Sequence, residues 1–171
     1  MNFDAAFALI HGTEGNYGCD PGDKGNWTSG HVGVGDLKGT KYGISAAAYP
    51  SLDIKNLTLD QAKHIAKIDY WDRISGDQIP AMVAYAMFDA AYNQGVTEAI
   101  KLAQTALKLS TDGQLGMATL TALRNCNVRL FAREFAIARI VKYASLAYWV
   151  QDHNGWTGRV LDVYRNMLTT A

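Results

Sequence analysis

His11-Gly12-Thr13-Glu14-Gly15-Asn16-Tyr17-Gly18-Cys19-Asp20-Pro21-Gly22-Asp23 is where an apolar segment with helical spacing gives way to glycine-studded chain. Before it, Phe3, Phe7 and Ile10 recur at i, i+4 and i+7, which predicts a first helix ending near Gly12. After it the helical period is lost, and residues 12–43 hold ten of the sixteen glycines. So long an irregular stretch in a compact domain is usually functional, or folds into a small sheet with tight turns. Glu14 stands at this junction. Glutamate is rare in the chain: Glu98 and Glu134 are the other two, both inside helical patterns where a solvated face explains them. A carboxyl in a partly apolar cleft has a raised pKa and can donate a proton at neutral pH. A helix-terminal glutamate in water is the plainer reading of position alone.

At 171 residues the chain can bury one good core, and one compact domain is the natural expectation. Apolar residues make up 49% and charged residues 19%, which places the chain among globular proteins rather than disordered ones. No apolar run approaches the length needed to cross a bilayer. The start, Met1 to Ile10, has no basic leader and carries Asp4, so it is not expected to be a secretory signal. Cys19 and Cys126 are too few for a disulfide framework and are expected to be ordinary thiols. The net charge of zero hides an asymmetry. Residues 1–123 carry nine Lys/Arg against thirteen Asp/Glu, whereas residues 124–171 carry seven against three. A basic terminal segment suggests docking to an anionic polymer or surface, and solvated helix faces explain it equally well.

Helices dominate beyond residue 43. His31-Val32-Gly33-Val34 and Thr40-Lys41-Tyr42 read as short extended pieces able to pair into a hairpin. Ser45 can cap a short turn over Ala46–Tyr49. Thr58-Leu59-Asp60-Gln61 is a capping-box pattern opening a helix to about Asp72. Pro80 suits the first turn of a helix through Asn93, with Val83, Ala84, Met87, Phe88 and Ala91 on its buried face and Gly95 at its end. Further helices are expected from Thr97 to about Leu109, over 117–125, from an Asn127 cap to Trp149, and after Gly155, with a turn at Asp112-Gly113.

The chemistry narrows by exclusion. His11, Cys19, His31 and His64 have no zinc-binding spacing, and no metal or cofactor is expected. No serine sits in a Gly-x-Ser-x-Gly elbow, and Gly33-Val34-Gly35 lacks the context of a phosphate loop. Trp149, Trp156 and Tyr164 lie among basic residues but at helical spacing, so core packing is favoured over nucleic acid stacking. The carboxylates do better. Asp23, nine residues after Glu14, is close enough to fold back across a cleft, and Asp20 is a second candidate. Glycosidic hydrolysis needs one acid for the leaving oxygen and a second group to hold water or stabilise the cationic sugar. Thr28, Thr40 and Ser45 offer hydroxyls for that water. Tyr17, Trp27, Tyr42 and Tyr49 offer flat faces for sugar rings.

The frame Glu14-Gly15-Asn16-Tyr17, Asp20-Pro21, Asp23, and then Gly39-Thr40-Lys41-Tyr42-Gly43-Ile44-Ser45 resembles the N-terminal signature of the family 108 glycoside hydrolases. These are bacteriophage-type endolysins and secretion-associated muramidases. The resemblance continues through Leu57-Thr58, Ala62-Lys63, Tyr70-Trp71-Asp72 and Phe88-Asp89-Ala90-Ala91-Tyr92-Asn93-Gln94-Gly95. Gln104, Asp112-Gly113-Gln114-Leu115-Gly116 and Thr119-Leu120 are similar to the peptidoglycan-binding half of that family. It is dense from about residue 8 to 123, and Gly155-Trp156 with Arg159-Val160 anchors the remainder.

The resemblance implies a mainly α, lysozyme-like fold (α+β in the lysozyme sense): a helical bundle with a small Gly-rich β/loop region near the N-terminus. It implies a single domain over 1–171, with about 1–80 carrying the catalytic loop and about 81–171 helical. It implies cleavage of the bond between N-acetylmuramic acid and N-acetylglucosamine, with Glu14 as general acid. The second catalytic group stays open. Some dozen residues interrupt the usual stretch, so Thr40 fits by its neighbours and Thr28 by its distance from Glu14, with Asp23 or Asp20 assisting. Tyr17, Tyr42 and Ser45 are the expected substrate contacts; Phe88-Asp89 and Asn93 are expected to be structural, with Asn93 also a candidate substrate contact facing the cleft. Peptidoglycan glycan strands are the expected partner of a monomer, with anionic wall or outer-membrane polymers as a second candidate partner at the basic C-terminal region, and no nucleic acid. As an endolysin, the chain would be made in the host bacterial cytoplasm and act on the wall after release. A lytic transglycosylase, a chitinase-type glycosidase or a non-catalytic peptidoglycan-binding module are the alternatives.

Overall fold

The computed structural model describes residues 1–11, 17–146 and 149–169. Glu14 and Asn16 lie outside the described residues. The chain divides into two compact units, one made of 1–6 with 68–171 and the other of 7–67. No helix of the described residues is long and apolar enough to cross a membrane.

The smaller unit is mostly irregular, framed by the end of α1 (Phe3–His11) and by α2 (Leu59–Ala66). Asn2 caps α1, its side-chain oxygen accepting from the Ala5 N–H at 3.0 Å. The expected capping box opens α2: Thr58 accepts from the Gln61 N–H and the Gln61 side chain accepts from the Thr58 N–H. Strands β1 (Thr40–Lys41) and β2 (Ile44–Ser45) form a two-stranded antiparallel sheet in which Thr40 faces Ser45. Ser45 caps the following turn as expected, its Oγ accepting from the Ala48 N–H at 3.3 Å.

Helices build the larger unit. After a π-turn over Lys67–Trp71 come α3 (Ala81–Gln94), α4 (Val96–Ala106), α5 (Met117–Asn125), α6 (Val128–Ala144) and α7 (Trp149–Thr169). Every residue of α3 from Met82 to Ala91 is buried, so this helix is the axis of the unit rather than an amphipathic wall. Phe3, Trp71, Phe88 and Tyr92 pack edge-on or tilted, with Phe3–Trp71, Phe3–Phe88, Trp71–Phe88 and Phe88–Tyr92 centroids 5.6–5.8 Å apart. Burial holds the Tyr92 hydroxyl well above its ordinary pKa, so it stays neutral. Asp89 of α3 pairs with Arg139 of α6 at 2.8 Å and with Arg159 of α7 at 2.7 Å, which bears out the structural reading of Phe88-Asp89. Gln104 of α4 is buried and organises the Asp112-Gly113 turn, donating to Asp112 at 2.7 Å and to Thr119 at 3.2 Å while accepting from the Gly113 N–H at 2.9 Å.

Four expected boundaries are corrected. Residues 31–34 form turns and bends instead of a strand, because β1 pairs forward with Ile44–Ser45. Helix α4 stops at Ala106, short of Leu109. Lys108 adopts a left-handed conformation (φ 58°), the Leu109 N–H bonds to the Gln104 carbonyl and the Lys108 N–H to that of Thr105. This is a Schellman termination that no glycine announces. Helix α6 ends at Ala144, where the Ser145 hydroxyl donates to the Lys142 carbonyl at 2.7 Å and competes with the helical ladder. Helix α7 already runs from Trp149 through Gly155 and Gly158. Each glycine costs about 1 kcal/mol in a helix interior, and burial of Val160, Val163 and Met167 outweighs it.

Candidate active site

The smaller unit gathers most of the expected site residues by backbone pairing. Gly18 and Thr40 exchange both backbone hydrogen bonds, at 2.9 and 2.8 Å, which docks the segment following Glu14 in sequence against β1. The approach is close enough to demand glycine at position 39. Its φ is 81°, and a Cβ there would lie 2.4 Å from the Gly18 carbonyl oxygen and 2.7 Å from the Tyr17 ring. Tyr17 is thereby pinned on one side, and its hydroxyl donates to the Lys38 carbonyl at 3.2 Å. A hydrogen bond with the Cys19 thiol, followed by desolvation, raises its pKa, so the hydroxyl remains protonated. Both cysteines are free thiols.

Asn26 is the hub of this loop, and sequence reasoning missed it. It is 3% exposed. Its side-chain oxygen accepts from the Thr40 hydroxyl at 2.8 Å, and its amide donates to the Asp20 carbonyl at 2.9 Å. Its backbone carbonyl accepts from the N–H groups of Lys38 and Gly39 at 3.0 and 3.1 Å. A single asparagine in a non-periodic loop carries no sequence signal of burial; only its three-residue spacing from the turn-former Asp23 hints at a local role. Asn26→Ala removes the partner of the half-buried Thr40 hydroxyl and of the Asp20 carbonyl, for which about 1 kcal/mol per hydrogen bond is typical. The variant is expected to melt earlier and to turn over substrate more slowly, measurable by thermal unfolding and cell-wall clearing.

Asp20 and Asp23 are exposed, and each closes its own turn. Asp20 Oδ1 accepts from the Gly22 N–H and Asp23 Oδ1 from the Gly25 N–H, both at 2.8 Å. Thr28 serves the interrupting residues: its Oγ1 accepts from the Asp36 N–H at 2.9 Å, beside a bridge between Trp27 and Leu37. Those residues therefore form a self-closed loop. Thr40 and Ser45 stand directly opposite across the sheet, which puts both hydroxyls on one face.

Tyr42 and Gly43 make the hairpin turn with φ of 51° and 76°. Two positive φ values match a type I′ turn, where asparagine or glycine is usual, so Tyr42 is held in a conformation that bulky side chains avoid. Lys41 Nζ lies 5.5 Å from the centre of its ring. Asn93 belongs to the helical unit, where it is exposed at the end of α3 and donates to the Asp89 carbonyl at 2.8 Å.

Residues 7–95, just over half of the chain, match the family profile of glycosyl hydrolase 108. The chain belongs to the glycosyl hydrolase 108 family. Among solved structures it is similar to that of Brucella abortus SagA, with 29% identity, 97% of this chain and 93% of that chain covered, and a TM-score of 0.82. No curated protein sequence matches it significantly. As a member of the glycosyl hydrolase 108 family, the chain is a glycoside hydrolase of muramidase type from a peptidoglycan-degrading family, and its substrate is a glycan. The mainly α, lysozyme-like fold expected from the sequence is the one observed.

Proposed function

We propose that this glycosyl hydrolase 108 member is an endolysin-type N-acetylmuramidase that cuts between N-acetylmuramic acid and N-acetylglucosamine, with Glu14 as the general acid. The observation that carries the reading is the fate of the other two glutamates. Glu98 pairs with Lys142 at 3.1 Å, and Glu134 pairs with its neighbour Arg133, both within the helical unit. Glu14 alone lies in the segment between α1 and the Gly18–Thr40 bridge.

Glu14 protonates the glycosidic oxygen as the bond to the anomeric carbon breaks. Water adds to the cationic sugar, giving a reducing muramic end. Thr40 is the second group. The Trp27–Leu37 closure accounts for Thr28 and leaves Thr40 on the strand bridged to Gly18. Asp23 or Asp20 contributes negative potential to the developing cation. Tyr17, Tyr42 and Ser45 of the smaller unit supply substrate contacts, and Asn93 of the helical unit is a further substrate-contact candidate.

The biological role in this reading is lysis of a bacterial host: synthesis in the cytoplasm, release to the wall, and antimicrobial action on peptidoglycan. Attraction of the C-terminal segment to anionic wall polymers is a subsidiary part of the proposal. Among the described residues Arg133, Arg139, Lys142, Arg159 and Arg165 are all in ion pairs, which limits the positive surface available for it. Mass spectrometry of digested peptidoglycan is expected to show reducing muramic ends. Anhydromuropeptides in their place would identify a transglycosylase and overturn the reading.

A further inference from the structure

A cavity of about 400 Å³ opens within the smaller unit, walled by Tyr17, Leu37, Lys38, Ser51, Asp53 and Lys55. Its size falls in the ~300–1,000 Å³ range of small-molecule sites. Every one of these residues belongs to the loop-rich unit, so the pocket is a property of that unit alone. We propose that it is a glycan subsite that seats one N-acetylated sugar of the peptidoglycan strand, a reading that rests on the muramidase assignment.

Four observations converge on a sugar. The pocket has a flat aromatic wall that cannot swing away. Tyr17 is 37% exposed, yet the Gly39 backbone lies against its ring and its hydroxyl is tied to Lys38. Aromatic faces fixed in this way offer an apolar platform at little entropic cost. Leu37, also 37% exposed, supplies a second apolar wall suited to an N-acetyl methyl group. It is held by its bridge to Trp27.

Hydrogen-bonding groups complete the lining. Asp53 Oδ1 accepts from the Asn56 N–H at 3.3 Å and Oδ2 from the Asn56 amide at 2.8 Å. A carboxylate oxygen accepts more than one hydrogen bond, so capacity remains for sugar hydroxyls. Ser51 adds a hydroxyl beside it. The ammonium groups of Lys38, tethered to the Pro50 carbonyl at 2.7 Å, and Lys55 match the carboxylates of a muramic acid and its peptide stem. An apolar plate, a small apolar wall and a mixed polar rim are the complement of an amphipathic pyranose. A purely hydrophobic ligand would leave Asp53 and both lysines unused.

The test uses Glu14→Gln protein, which should bind glycan without cutting it. Chitotetraose is titrated into that protein and into the same protein carrying either Asp53→Asn or Leu37→Asp, by calorimetry. Each added change is expected to weaken binding at least tenfold while leaving the unfolding temperature in place. With Glu14 intact, Asp53→Asn is expected to raise KM for purified peptidoglycan about as much, with kcat within twofold of the parent. Asp53→Asn keeps a side chain that can accept from Asn56, so it remains informative if Leu37→Asp fails to fold. Affinity and KM within twofold of the parent in Asp53→Asn, or no chitotetraose binding by the Glu14→Gln protein, would overturn the subsite. Full activity of the Glu14→Gln protein, or products without reducing muramic ends, would remove the muramidase reading instead, so the two failures are separable.

Discussion

Glu14→Gln is expected to abolish clearing of purified cell walls, with a fall in kcat of at least ~100-fold and up to about 10⁴-fold, the span typical of a lost general acid. The substitution keeps shape and volume and removes only the transferable proton. Without it the leaving sugar must depart as an alkoxide, and the barrier rises accordingly. Folding should be untouched. Glu14 sits in a glycine-rich stretch of sequence, and neither Glu98 nor Glu134, held in ion pairs on α4 and α6, can substitute for it. Circular dichroism and thermal unfolding should overlay those of the parent. Glu98→Gln is the matched control: it removes an ion pair with both side chains partly exposed, and it should leave wall clearing at the parent rate. Parent-level clearing by Glu14→Gln would send the search for the acid to Asp20 and Asp23.

The second large effect is structural. Asp89→Ala is expected to destabilise the fold by about 3–5 kcal/mol, the range seen when one partner of a buried ion pair is removed. Asp89 is 2% exposed and Arg139 1%, so the arginine would be left charged in the interior of the helical unit. Its remaining partners are weak: Gln94 Oε1 accepts from its Nε at 3.3 Å, the Tyr143 hydroxyl accepts from its Nη2 at 3.5 Å, and the Tyr143 ring centre lies 5.9 Å away. Arg159 would lose both its 2.7 and 2.9 Å contacts to Asp89 Oδ1. At roughly 2–4 °C per kcal/mol for a chain of this size, the unfolding midpoint should fall by about 10 °C. The Asp89–Arg139 pair meets at 2.8 Å outside hydrogen-bond geometry, so its attraction is largely Coulombic. The damage is therefore that of an orphaned charge, and a double change of Asp89 and Arg139 to apolar residues of similar volume should recover much of the loss. A midpoint in Asp89→Ala within 2 °C of the parent, against the ~10 °C expected, would show that the interior is wet enough to solvate Arg139.

Periodicity and punctuation were readable without coordinates. The capping box at Thr58, the stop at Gly95, the Asn127 cap and the span 117–125 all lie where local chemistry placed them, because each depends on groups within four residues of one another. The family resemblance was legible for the same reason, as short motifs in order. The break at Ser145 and the early start of α7 were not. Gly155 and Gly158 argue locally against a helix, and only the burial of Val160, Val163 and Met167 reverses that preference. The Lys108 termination was equally hidden, since a lysine seldom accepts positive φ.

At the candidate site, the sequence by itself determined which groups are available: one glutamate outside the helical patterns, aspartates and threonines on a glycine-rich loop, and tyrosines among them. Tertiary structure alone decided how the described ones are used. It sent Thr28 to the closure of the Trp27–Leu37 loop, placed Thr40 opposite Ser45, buried Asn26 as the shared partner of Thr40 and Asp20, and fixed Tyr17 against Gly39. The physical reason is range. Caps and helical stripes are written in neighbours three or four residues apart, whereas these hydrogen bonds and contacts join residues five to twenty-two positions apart in a stretch with no period to announce them.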